Sequence, residues 1–113
     1  MGTTDFQVKM LGPCAIIRMP AEIDVTNADQ ARSALLAEVG AARQCLIIDM
    51  SATTFCDSSG VQALLAAHRG AAAAGVQLRL VAPAIERILT LVGIDQLIPA
   101  YPTIEAAHAA AGS

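Results

Sequence analysis

Leu46-Ile47-Ile48-Asp49-Met50-Ser51-Ala52-Thr53-Thr54-Phe55-Cys56-Asp57-Ser58-Ser59-Gly60-Val61 is the stretch around which the rest of the chain arranges itself. Leu46 to Ile48 is a short apolar run rich in β-branched residues and bounded by the polar cluster Ser51 to Thr54, which predicts a strand buried on both faces. Val61, Leu64, Leu65 and His68 then repeat at helical spacing, which predicts a helix with an apolar stripe. Asp57-Ser58-Ser59-Gly60 therefore stands where that helix begins. The first amides of a helix lack internal partners and carry the positive end of its dipole, so the position favours oxygen-rich or anionic groups. Two compatible readings follow. Asp57 or Ser58 caps the helix and Gly60 relieves crowding at its entry, or one serine accepts a phosphate that those amides hold.

Outward from this stretch, the 113 residues suit one domain with one core. Hydrophobic residues make up 55% and aromatic residues only 3%, so the core is built from Leu, Ile, Val and Ala and offers no stacking platform for bases. The net charge is -3, and the seven basic residues are spread along the chain, which argues against nucleic acid or an anionic membrane surface as a partner. Cys14, Cys45 and Cys56 lie in or beside apolar runs and read as buried thiols in a reducing compartment; their spacing does not suit a metal site. No apolar run approaches the roughly 18 to 20 residues of a membrane span, and no leader-like segment is visible. The expectation is a soluble cytoplasmic protein.

Along the chain, Phe6 to Leu11 and Cys14 to Met19 predict two strands joined at Gly12-Pro13, with Pro20 ending the second. Thr26 or Asn27 caps a first helix, Asn27 with Gln30 forming a capping box; Ala28, Ala31, Leu35 and Val39 face the core and Gly40 stops it. The helix after Ser58 runs through Ala74, with Gly75 in the left-handed position and His68 at the edge of the core. Val76 to Val81 is the next strand. Pro83 opens a third helix that buries Ile85, Ile88, Leu89 and Val92 and ends at Gly93. Leu97-Ile98 forms a short edge strand, Thr103 caps a last helix through Ile104 and Ala107 to about Ala110, and residues 109–113 fray. Strands alternating with helices in this order predict an α/β fold whose mixed sheet has about four to five strands and about four helices, with right-handed parallel crossovers.

Nothing marks chemistry of the chain's own. There is no phosphate-cradling glycine loop of either nucleotide-binding type. Ser58 would need an adjacent base to act as a nucleophile, yet His68 lies nearly three turns along the same helix and His108 near the C-terminus. No catalytic residue, cofactor or metal ligand is expected.

The run from Leu46 to Val61, above all Phe55-Cys56-Asp57-Ser58-Ser59-Gly60-Val61, resembles the signature of the STAS domain, named for sulfate transporters and anti-sigma factor antagonists. The resemblance extends to Glu22-Ile23-Asp24 and to the order of apolar segments, and implies a single STAS-like domain over residues 1–113. It implies a stand-alone anti-sigma factor antagonist, in which Ser58 is phosphorylated by an anti-sigma factor serine kinase of the histidine-kinase-like ATPase fold. Unmodified, such a module sequesters the kinase and frees a sigma factor; a metal-dependent serine phosphatase resets it. By the same resemblance Asp57 orients the hydroxyl or completes the partner's active site, Ser59 supplies a second hydroxyl, and Gly60 lets the backbone come close. Asp24 either contacts the partner or is a turn residue before a helix. The chain departs from the family pattern at Ala21, Cys56 and Gln62; Gln62 replaces a common glycine and adds a long polar side chain that bears on which kinase fits. The alternative is an unphosphorylated scaffold subunit of a lipid-transport or stress-signalling assembly.

Overall fold

The structure is a computed structural model that describes residues 6–41 and 44–111. Its element order is β1 (Val8–Leu11), β2 (Cys14–Arg18), β3 (Glu22–Ile23), α1 (Ala28–Gly40), β4 (Cys45–Asp49), β5 (Phe55–Cys56), α2 (Ser58–Ala74), β6 (Gln77–Val81), α3 (Glu86–Leu91), β7 (Ala100–Tyr101) and α4 (Ile104–Ala111). Five strands form one mixed sheet in the order β1-β2-β4-β6-β7, with only β1 antiparallel to its neighbour. This is the expected α/β architecture. Gly12, at φ +59, makes the turn of the β1–β2 hairpin.

Side chains alternate across a strand, and here the two sets bury into separate cores. Ala15, Ile17, Leu46, Ile48, Leu78 and Leu80 pack with α1 and α2, while Cys14, Ile16, Cys45, Ile47 and Val81 pack beneath Ala107 of α4. β4 is buried on both faces, as its unbroken apolar run predicts. α1 buries the four expected residues, Ala28, Ala31, Leu35 and Val39, and Gly75 ends α2 at φ +74.

Several local expectations are corrected. The buried stripe of α2 is Gly60, Ala63, Leu64, Ala67 and Ala71, whereas Val61 and Leu65 lie at its margin, beside His68, which was expected there. Small residues face α1 because the helices approach closely: a Cβ on Gly70 would stand 2.9 Å from Leu36 Cδ2. Asn27 makes no side-chain cap; its Oδ1 instead accepts from Asp24 N (3.0 Å) and its Nδ2 donates to Glu22 O (2.8 Å). Pro83 opens a 3-10 turn, and the helix after it is only six residues long, so Ile85 and Leu89 are buried while Ile88 and Val92 are exposed. The edge strand is Ala100–Tyr101 and not Leu97-Ile98: Ile98 N donates to Ile94 O in a turn, and the sheet resumes when Leu80 N donates to Pro99 O. Thr103 Oγ1 caps α4 as expected by accepting from Ala106 N (3.1 Å), and the helix runs through Ala110 to Ala111 without fraying at 109; residues 112 and 113, expected to fray, lie outside the described residues.

Candidate functional site

The site is assembled by a second, two-stranded sheet. β3 and β5 pair in parallel, Glu22 opposite Phe55 and Ile23 opposite Cys56. Two residues per strand carry little pairing strength, so side-chain and loop bonds reinforce them. Thr53 is fully buried and donates its hydroxyl to Pro20 O (2.7 Å), Thr54 N donates to Ala21 O (2.8 Å), and Asp57 N donates to Ile23 O (3.1 Å). The loop before α1 and the loop before α2 are thereby held side by side. Asp24 and Asp57, each one residue past its strand, arrive at one end of the molecule.

Asp57 is the cap of α2. Its Oδ1 accepts from Ser59 N (2.8 Å) and Gly60 N (3.2 Å), and its carbonyl accepts from Val61 N (3.0 Å). The open choice between Asp57 and Ser58 as cap is settled for Asp57. The same geometry withdraws two of the amides that a phosphate would otherwise use. Ser58, the first residue of α2, is exposed, and its hydroxyl bonds to nothing among the described residues.

Gly60 is buried, and its role is packing from beneath the surface. A Cβ there would lie 2.5 Å from Cys56 Sγ and 2.9 Å from Ile23 Cγ2, so only glycine lets α2 seat against β3 and β5. Ser59 is half-buried and Gln62 exposed. Asp24 is half-buried, and its Oδ1 accepts from Thr26 N (2.9 Å) and from the Thr26 hydroxyl. The hydroxyl bond, then the amide bond, hold its pKa below the usual aspartate range. Burial, with the charge of Asp57 adding to it, pushes the Cys56 thiol up to about 11. That thiol stays protonated at neutral pH and is no nucleophile.

The structure thus brings Asp24, Asp57, Ser58, Ser59, Gly60 and Gln62 to one end, with Gly60 buried below the rest. The residues that hold them there, Thr53 and Asn27, were missed as site-builders. Thr53 looked like one of several turn hydroxyls, and its partner Pro20 is 33 positions away. Two exposed apolar side chains at the same end, Phe55 of β5 and Val25 of the loop before α1, were also missed; Val25 is 77% exposed beside Asp24. Such exposure cannot be read from an alternation pattern in segments this short. Among the described residues no three potential metal ligands converge, and no helix is long and apolar enough to cross a membrane.

Comparison with known proteins places this geometry. The family model described as STAS domain matches residues 5–107. An anti-sigma factor antagonist from Mycobacterium paratuberculosis superimposes with a TM-score of 0.83 at 29% identity, over 95% of this chain and 92% of that one. A STAS domain protein from Planctomyces limnophilus gives 0.81 at 26% identity, over 97% and 99%. SpoIIAA, an anti-sigma factor antagonist solved unphosphorylated, shares the fold at 0.76 and 23% identity, over 96% and 97% of the two chains. The Bacillus SpoIIAA solved phosphorylated gives 0.66 at 24% identity, over 89% and 95%. No protein of curated function matches the chain.

Proposed function

The chain belongs to the STAS domain family, and from that premise we propose that it is an anti-sigma factor antagonist switched by phosphorylation of Ser58. Unmodified, it would bind an anti-sigma factor serine kinase through Ser58, Ser59, Gln62 and Asp24, sequester it and so free a sigma factor without touching DNA. A serine phosphatase would restore the binding form. It works as a binding module and not as an enzyme.

The observation that carries this is the state of the Ser58 hydroxyl: exposed, unbonded, and at the first position of a helix. A kinase can reach it without unfolding anything. The phosphate would bring about -1.5 to -2 charge at pH 7 beside the carboxylate of Asp57. Because Asp57 already takes the amides of Ser59 and Gly60, little of that charge is neutralised internally. It stands instead on the docking surface, where desolvating it opposes the partner. A penalty of about 3 kcal/mol suffices for roughly a hundredfold loss of affinity.

The experiment is phosphorylation by candidate kinases with ATP, with the phosphate located by mass spectrometry and partner affinity measured in both states. Ser58→Ala should abolish incorporation and retain partner binding; Ser58→Asp should weaken it. Phosphate found elsewhere, or undiminished kinase binding by the phosphoprotein, would overturn the proposal, and no incorporation by any kinase would favour an unphosphorylated scaffold.

A further inference from the structure

Below Ser58 a polar groove of about 260 Å³ runs between α1 and α2. Asp29 and Arg32 line it from α1, and Ser59, Gln62 and Arg69 from α2, over a floor of alanines. The two helices run in the same sense, with Ala28 near Ser59 at the upper end and Leu36 near Gly70 lower down. We infer that this groove receives an acidic segment of the protein that docks on Ser58, its carboxylates held between Arg32 and Arg69. The inference rests on the proposed role of Ser58 and adds to it the chemistry of the partner.

Three observations point the same way. Arg32 and Arg69 are both exposed, and neither has an ion pair or hydrogen bond among the described residues. The chain has ten acidic and seven basic residues, so two guanidiniums facing one groove reverse the prevailing sign locally. An acidic segment is repelled by the protein at large and drawn in here. The planar guanidinium also matches a carboxylate through two parallel hydrogen bonds. Asp29, the one carboxylate in the lining, lies with Ala28 at the upper end and sets how far an acidic chain must enter.

Continuity with the Ser58 surface is the third. Ser59 and Gln62 belong to both, and Ser58 and Gln62, four residues apart on α2, share a helix face. A partner seated over Ser58 therefore covers the mouth of the groove. This adds leverage to the switch, because carboxylates drawn toward Arg32 and Arg69 must pass a phosphate installed above them at the start of α2. Gln62, the departure from the family's usual glycine, forms part of the wall and helps set which segment fits. No aromatic side chain lines the groove, so nucleic acid has phosphate neutralisation there but no stacking.

The test titrates a short alternating Asp-Glu peptide into the isotopically labelled full chain and follows amide shifts. Shifts centred on Arg32, Ser59, Gln62 and Arg69 are expected, absent with the Asn-Gln counterpart. The Arg32→Gln, Arg69→Gln double variant should bind at least about tenfold more weakly at low salt, a difference that shrinks as salt screens the charges. Shifts lying elsewhere, equal binding by the double variant, or tighter binding of a single-stranded oligonucleotide to the same amides would overturn the inference. With a kinase that modifies Ser58, equal affinity for wild type and double variant overturns it too and leaves the Ser58 switch standing. Failure of Ser58 to accept phosphate sinks the switch alone, since the peptide titration is read without any kinase.

Discussion

At the scale of single residues, Gly60 and Asp24 show how the surface is supported from underneath. The space for a Cβ at Gly60 is already filled by Cys56 Sγ at 2.5 Å and Ile23 Cγ2 at 2.9 Å. Neither is the free end of a long side chain, so Gly60→Ala should force α2 away from β3 and β5 and cost about 1–3 kcal/mol. A urea midpoint unchanged from wild type would contradict this; Cys56→Ala in the same chain should restore only part of the loss, because Ile23 remains. Asp24 makes a pH prediction. Its pKa is lowered by bonds to Thr26, so the folded state favours the carboxylate. The resulting stability is present above the unfolded carboxylate range, about 3.9, and is lost as pH falls through the lower folded value. Thr26→Val removes the hydroxyl bond, the largest cause, so wild type and variant should differ at neutral pH and converge in acid. An NMR titration in which the Asp24 pKa is the same in both proteins would refute it.

Among the elements, the helix pair α1–α2 separates what sequence pattern reveals from what packing decides. The face of α1 was legible because its large residues, Leu35 and Val39, fall on the buried side with Ala28 and Ala31. On α2 the same rule put Val61 and Leu65 in the core, yet the buried residues are mostly Gly60, Ala63, Ala67 and Ala71, while His68 lies at the margin as expected. Hydropathy rewards large side chains, whereas a close helix–helix approach selects small ones, and no pattern within α2 reports how near α1 will come. Likewise β4 was legible from its apolar run, while β3 and β5, two residues each, are too short to show any period. The Asp57-Ser58 helix start was legible from residue types alone; the pairing that sets Asp24 beside it was not. Gly70, half-buried and outside the buried stripe, marks where that close approach ends. Its absent Cβ would crowd Leu36 Cδ2 at 2.9 Å, the tip of a side chain that is itself exposed, and would meet Val39 Cγ1 only at an ordinary 3.9 Å. Leu36 can rotate aside, and alanine in a helix interior gains about 0.8–1.0 kcal/mol over glycine. Gly70→Ala should therefore leave the melting temperature equal or raised, opposite in sign to Gly60→Ala; a loss as large as that at Gly60 would mean the helices are locked at this contact.

For the whole molecule, the sheet divides the interior into two cores, and the Ser58 side chain stands outside both, above Ile23 and Cys56 of the larger one. Ser58 is exposed and unbonded, whereas Asp57 turns its carboxylate toward the helix amides and Gly60 is sealed below. A phosphate on Ser58 therefore breaks no existing contact, and the cores built on β4 and α1 have no means of sensing it beyond long-range charge. Screening limits that influence to roughly 8 Å at physiological ionic strength. Phosphorylation should then act by surface charge and not by refolding. Amide shifts between the two forms should concentrate in residues 22–27 and 55–62, with those of β4 and β6 nearly unmoved, and slow amide exchange of Ile47 and Leu80 should be equal in both. Broad shifts through the sheet, or core amides that exchange faster in the phosphoprotein, would show instead that the modification loosens the fold. In that case the loss of partner binding would be conformational, and Ser58→Asp, with only one added charge, would fail to reproduce it in proportion to its charge.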